Sequence, residues 1–129
     1  MRMLVVDDFG DLRKFILSAV KFFAEREGLE LEAFDAEGPE EALALIGSHG
    51  FDLIISDFDM GQSRMNGIQL AFEISKRSRD AMPTFVLMSA EDLSMEDIKE
   101  TPIKYFLHKP FSLEQLESVV TGFEMLGKG

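Results

Sequence analysis

The sequence predicts an α/β protein: a three-layer α/β/α sandwich in which helices cover both faces of a doubly wound, five-stranded parallel sheet. Three observations carry this. Five short apolar runs alternate with longer segments of helical periodicity, the pattern left when each strand is followed by a crossover helix. The spacing between runs leaves room for one right-handed crossover each. The 129 residues, 46% apolar and 29% charged, suit one domain spanning 1–129 with a core large enough to need no cross-links.

The elements follow in order. Strands are expected at Met3 to Val6, Leu29 to Phe34, Leu53 to Ser56, Phe85 to Ser89 and Tyr105 to His108, each short enough for a strand. The first helix carries Leu12, Phe15, Ile16, Ala19, Phe22 and Phe23 at three- and four-residue steps, one wide apolar stripe facing the sheet. The second opens at Gly38-Pro39, proline suiting a first helical position, and runs through Leu43 and Ile46 towards His49. The third spans Gly67 to Ser78 with Leu70, Ala71 and Ile74 inward; the fourth, about Ser94 to Glu100, is short. The last starts at Ser112, with Gln115 placed for a capping box, and carries Leu113, Leu116, Val120 and Phe123 to a stop at Gly127.

Charge and composition exclude whole classes of function. With 24 acidic against 13 basic residues, net −11, the chain lacks the cationic surface that binds nucleic acid or anionic membrane. The run Lys76-Arg77-Ser78-Arg79 sits at a helix end, where cations complement the dipole. There is no cysteine, which removes disulfides, thiolate catalysis and Cys-ligated zinc. No apolar stretch reaches the roughly 18 residues of a membrane span, and the start is too short in apolar residues for a signal peptide. A cytoplasmic protein is expected.

In sheets of this type ligands sit outside the carboxyl ends of the strands. Those ends read Asp7 and Asp8 after the first run, Asp57 and Asp59 after the third, Ser89 after the fourth, and Lys109-Pro110 after the fifth. Carboxylates gathered at one edge repel one another unless a cation joins them, and an all-oxygen set suits a hard ion such as Mg2+. A lysine and a hydroxyl beside it complete the equipment for holding phosphoryl oxygens, while a carboxylate can itself attack phosphorus.

These residues resemble the response-regulator receiver domains of two-component signalling, and most closely their single-domain chemotaxis-type members, over the whole chain. Asp7-Asp8-Phe9 is similar to the family's acidic pair, Leu53-Ile54-Ile55-Ser56-Asp57 to its phosphoacceptor strand, Met88-Ser89-Ala90 to its hydroxyl switch strand, and Lys109-Pro110-Phe111 to its lysine-proline end. The resemblance implies a flavodoxin-like (βα)5 fold. It implies that Asp57 accepts a phosphoryl group from a histidine kinase or phosphotransfer protein. Asp8 would ligate Mg2+ directly and Asp7 through water, and the backbone carbonyl of Asp59 would complete the site. Lys109 and Ser89 would bind phosphoryl oxygens, Lys109-Pro110 would be cis, and Ser89 with Phe106 would form the switch that signals to a downstream protein target. The Asp59 side chain is expected to border the phosphoryl site and add negative charge to it.

The sequence also departs from the family pattern. The family reads Asp-x-x-Met-Pro-x-Met-(Asp or Asn)-Gly, whereas Asp57-Phe58-Asp59-Met60 is followed here by Gly61-Gln62-Ser63-Arg64 before Met65-Asn66-Gly67, two residues longer and without the proline. Two rival readings follow from the same residues: a receiver-like interaction module that is not phosphorylated, and a small phosphatase of the haloacid-dehalogenase type, whose Asp-x-Asp motif Asp57-Phe58-Asp59 resembles. The second places its nucleophile on the first strand and its acidic pair late, the reverse of the order here. The expected protein is a signalling domain and not an enzyme in its own right.

Overall fold

A computed structural model describes residues 1–61, 63–78 and 81–128, with side chains except those of Met95 and 122–128. Ten elements alternate: β1 (Arg2–Val6), α1 (Gly10–Arg26), β2 (Glu32–Ala36), α2 (Pro39–Ser48), β3 (Leu53–Asp57), α3 (Gly67–Arg77), β4 (Thr84–Ser89), α4 (Met95–Ile98), β5 (Tyr105–His108) and α5 (Leu113–Lys128). The strands form one parallel sheet in the order β2-β1-β3-β4-β5. The chain winds outward from β1 to β2, then crosses back and proceeds from β3 to β5. The order therefore reverses between β1 and β3, the crevice where such sheets bind ligands.

Period-two alternation splits the strands between two cores. Leu4, Val6, Ile54, Phe85 and Leu87 pack on Ala42 of α2, Leu70, Ala71 and Ile74 of α3, and Ile98 of α4. Met3, Val5, Leu53, Ile55, Val86 and Met88 face Ile16, Ala19, Val20 and Phe23 of α1 and Leu116 and Val120 of α5. The sheet is thus sandwiched as the sequence predicts. Asn66 caps α3 through a reciprocal box with Gln69. The next residue has to be glycine for space: a Cβ at Gly67 would lie 2.4 Å from the Asp57 carbonyl oxygen and 2.6 Å from Leu87. The Ser112–Gln115 box likewise opens α5, with 2.8 and 3.1 Å bonds.

Four expectations are corrected. The second strand begins at Glu32 rather than Leu29, because the Leu29 N–H closes the end of α1 by bonding to the Ala24 carbonyl at 2.8 Å, behind Gly28 at φ +69°. Phe15 and Phe22 do not face the sheet; they are 45% and 60% exposed, flanking a stripe already filled by Ile16, Val20 and Phe23. Leu113 is exposed as well, standing in the first turn of α5 ahead of the inward Leu116. That helix continues through Gly127 to Lys128, one glycine being too weak a break to stop it. The side chain of Phe123, together with Arg79 of the basic run and Gln62 of the lengthened loop, lies outside the described residues.

Candidate functional site

The strand ends bring most of the predicted residues to one crevice. Asp7, at the end of β1, is wholly buried. Its Oδ1 accepts the Phe9 N–H at 2.8 Å, while Oδ2 takes no hydrogen bond among the described residues. Asp57 ends the central strand and is 6% exposed. The Lys109 ammonium, carried beyond β5 ahead of a cis Lys109–Pro110 bond, donates to Asp57 Oδ1 at 3.0 Å and stands 3.6 Å from Asp7 Oδ2. Asp8 is exposed, and its carboxylate gathers with those of Asp7 and Asp57, with ligand atoms within 4.8 Å of one another.

Ser89, at the end of β4, is buried, and its Oγ accepts the Glu91 N–H at 2.8 Å. That bond uses a lone pair and leaves the hydroxyl proton available to an acceptor in the crevice. Asp8, Asp57, Asp59, Gly61, Ser89 and Lys109 line a cleft of about 270 Å³. Asp59 borders this cleft, as expected of its side chain, but of the four carboxylates expected at this edge it is not one of the three that cluster, and its Oδ1 accepts the Gly61 N–H at 3.1 Å. Phe106 is half-buried on β5 against the core shared with α2, α3 and α4, and Tyr105 packs against the core on the opposite face.

Burial governs the electrostatics. It pushes the Asp57 carboxyl up to about 6, with the Lys109 hydrogen bond pulling the other way and the charges of Asp7 and Asp8 adding to the rise. The Asp7 carboxyl is also raised, again chiefly by burial, against the Phe9 N–H. Three crowded carboxylates, two of them buried and only partly answered by one lysine, form an all-oxygen set that a divalent cation would relieve. The unpartnered Asp7 oxygen is the sign that these residues fit Mg2+.

Arg13 escaped the sequence reading. From the first turn of α1 its Nη1 donates to the Asp7 carbonyl at 2.8 Å and its Nε to Asp35 at 2.7 Å, tying the residue that follows β1 to β2. Nothing in the helical pattern distinguishes it from a solvated arginine. Gly61 was legible only as a missing proline; its φ of +67° and its approach to Asp8 emerge from the structure.

Residues 3–121 match the family model described as the response regulator receiver domain. The chain belongs to this family. The receiver domain is 28% identical over 130 residues to the transcriptional regulatory protein MalR of Bacillus subtilis, covering 95% of this chain and 50% of that one. It thus spans about half the length of that curated relative. The receiver domain of the Francisella response regulator 1452 is 28% identical at a TM-score of 0.77, covering 98% of each chain. The response regulator TrrA of Thermotoga maritima, solved in complex with Mg2+ and BeF, is 30% identical at a TM-score of 0.72, covering 95% of this chain and 97% of that one. A receiver domain of two-component response regulators is a signalling domain, which sets the phosphatase reading aside. Among the described residues no helix is long and apolar enough to cross a membrane.

Proposed function

We propose that residues 1–129 act as a single receiver unit, in the cytoplasm, that accepts a phosphoryl group on Asp57 from a histidine kinase or phosphotransfer protein and signals to a protein partner by changing conformation. The observation that carries this is the Lys109–Asp57 contact of 3.0 Å beside a buried Asp7 oxygen without a hydrogen-bond partner among the described residues. A nucleophile, a fixed cation and an open metal-ligand position converge there.

An ionised Asp57 oxygen attacks the phosphorus of a phosphohistidine. The phosphorus–nitrogen bond breaks, the imidazole leaves with the bonding pair, and an acyl phosphate remains on Asp57. Even without a metal ion, a carboxyl that burial pushes up to about 6 is largely ionised at neutral pH and so available to attack. Lys109, released from its pairing with the carboxylate oxygen, and the Ser89 hydroxyl hold the transferred phosphoryl oxygens. Asp7, Asp8 and Asp57, with the Asp59 backbone carbonyl, would hold Mg2+, which supplies charge neutralisation for the phosphoryl group.

The test is reaction with acetyl phosphate in Mg2+ followed by peptide mapping. Modification should fall on Asp57 and vanish in Asp57→Asn. Failure to label with acetyl phosphate and with a phosphohistidine donor would leave an interaction module that does not use phosphorylation.

A further inference from the structure

The segment that follows Asp57 departs most from the family pattern, and the structure gives the departure a geometry. Gly61 adopts φ +67°, a conformation closed to proline, whose ring fixes φ near −65°. The glycine is therefore required by this loop's path. Its N–H is held by Asp59 Oδ1 at 3.1 Å, so the Asp59 side chain closes a turn. That turn brings the Gly61 backbone against the acidic cluster: a Cβ at residue 61 would stand 2.9 Å from Asp8 Oδ2. Asp8 is exposed and accepts no hydrogen bond among the described residues. The loop backbone is thus a wall for a carboxylate that is otherwise free to rotate away.

We propose that the Asp59–Gly61 turn is a positioning device for Asp8, confining its carboxylate beside Asp7 and Asp57 and so setting the affinity of the site for Mg2+. Gly61 acts by lacking a side chain and Asp59 by accepting a hydrogen bond, not by facing the ion with its charge. The inference rests on the metal reading made above and goes beyond it by assigning the tuning of that site to the altered loop. Because Asp8 is the outer end of a short side chain, an added methyl at 61 would be accommodated by swinging Asp8 out of the cluster. The damage would appear in binding more than in folding.

The test is calorimetric titration of the folded chain with Mg2+, alongside thermal melting. Gly61→Ala should weaken Mg2+ binding by about tenfold or more, the usual scale for losing a group that orients a ligand. Gly28→Ala is the control: Gly28 has φ +69° but no atom within 4 Å of its would-be Cβ. It bears the same backbone strain, lowers the melting temperature, and should bind Mg2+ like the parent. Asp59→Ala should weaken binding, and Asp59→Asn, which keeps an acceptor oxygen for the Gly61 N–H, should restore much of the loss; this pair carries the test if Gly61→Ala does not fold. Parent-like affinity in Gly61→Ala, equal losses in Gly61→Ala and Gly28→Ala, or equal losses in Asp59→Ala and Asp59→Asn would each overturn the proposal. A parent chain that binds no Mg2+ would instead overturn the metal reading beneath it.

Discussion

A carboxyl that burial pushes up to about 6 from 3.8 binds a proton more readily in the native state than in the unfolded chain. Native stability of the metal-free protein therefore carries a contribution from Asp57 that is lost as pH rises from about 4 to about 6, on the order of 2–3 kcal/mol. Asp57→Asn removes it. Urea unfolding in chelator should show the variant gaining on the parent across that window and holding the gain at pH 7; parallel profiles would contradict the assignment. If the proposed site takes Mg2+ in the native state alone, millimolar Mg2+ should raise the melting temperature of the parent, and Asp8→Ala should abolish the rise. Asp7, Asp57, Ser89 and Lys109 were legible because each follows an apolar run, and chain order alone carries such residues to one sheet edge. Arg13 was not legible, because its value lies in reaching the Asp7 carbonyl and Asp35 at once, a coincidence of two strands and a helix that no spacing encodes.

Of the two edge strands, β5 lies where the sequence places it, at Tyr105–His108, and β2 does not. β3 and β4 are covered on both faces and read as apolar runs, whereas β2, with exposed Glu32 and Asp35 on either side of half-buried Ala33 and Phe34 and a buried Ala36 at its end, gives neither an unbroken run nor an alternation. The apolar Leu29 that drew the expected strand too early instead finishes a helix. On α1, equal spacing made Phe15 and Phe22 indistinguishable from Ile16 and Phe23, since periodicity gives a stripe but not its width. The start of α3 is better specified. Asn66→Ala should cost about 1 kcal/mol in urea unfolding by removing the acceptor for the Gln69 N–H. Gly67→Ala should cost more than that, because its Cβ meets the backbone at Asp57 and Phe58, which cannot swing aside, as well as the Leu87 side chain.

Across the whole molecule, the proposed signal runs from Asp57 to β5. Ser89 pairs in register with His108, and Leu87 with Phe106, so the hydroxyl near the phosphoryl site and the half-buried ring belong to one ladder. Phosphorylation can shift such an equilibrium only through contacts that differ between its two states, about 1.4 kcal/mol for each tenfold change in population. The chain has one tyrosine and no tryptophan, so the fluorescence of Tyr105 reports on β5 directly. Ser89→Ala should remain phosphorylatable on Asp57 but lose most of the phosphorylation-linked change in Tyr105 emission, and Phe106→Ala should alter that change without blocking phosphorylation. Parent-like responses in both variants would end the coupling.

The strand order has a mechanical reading. β3 is held by a ladder on each side, to β1 through four residue pairs and to β4 through five, while β5 is four residues long and held on one side only. The proposed nucleophile is therefore mounted at the end of a strand anchored on both sides, and the ring proposed to report its state rides on an edge strand. A mount held on both sides keeps Asp57 in line with Asp7, at the end of the neighbouring β1, whether or not it is modified. Displacement then concentrates where fewest ladder bonds resist it, so the load applied at the centre is expressed at the rim.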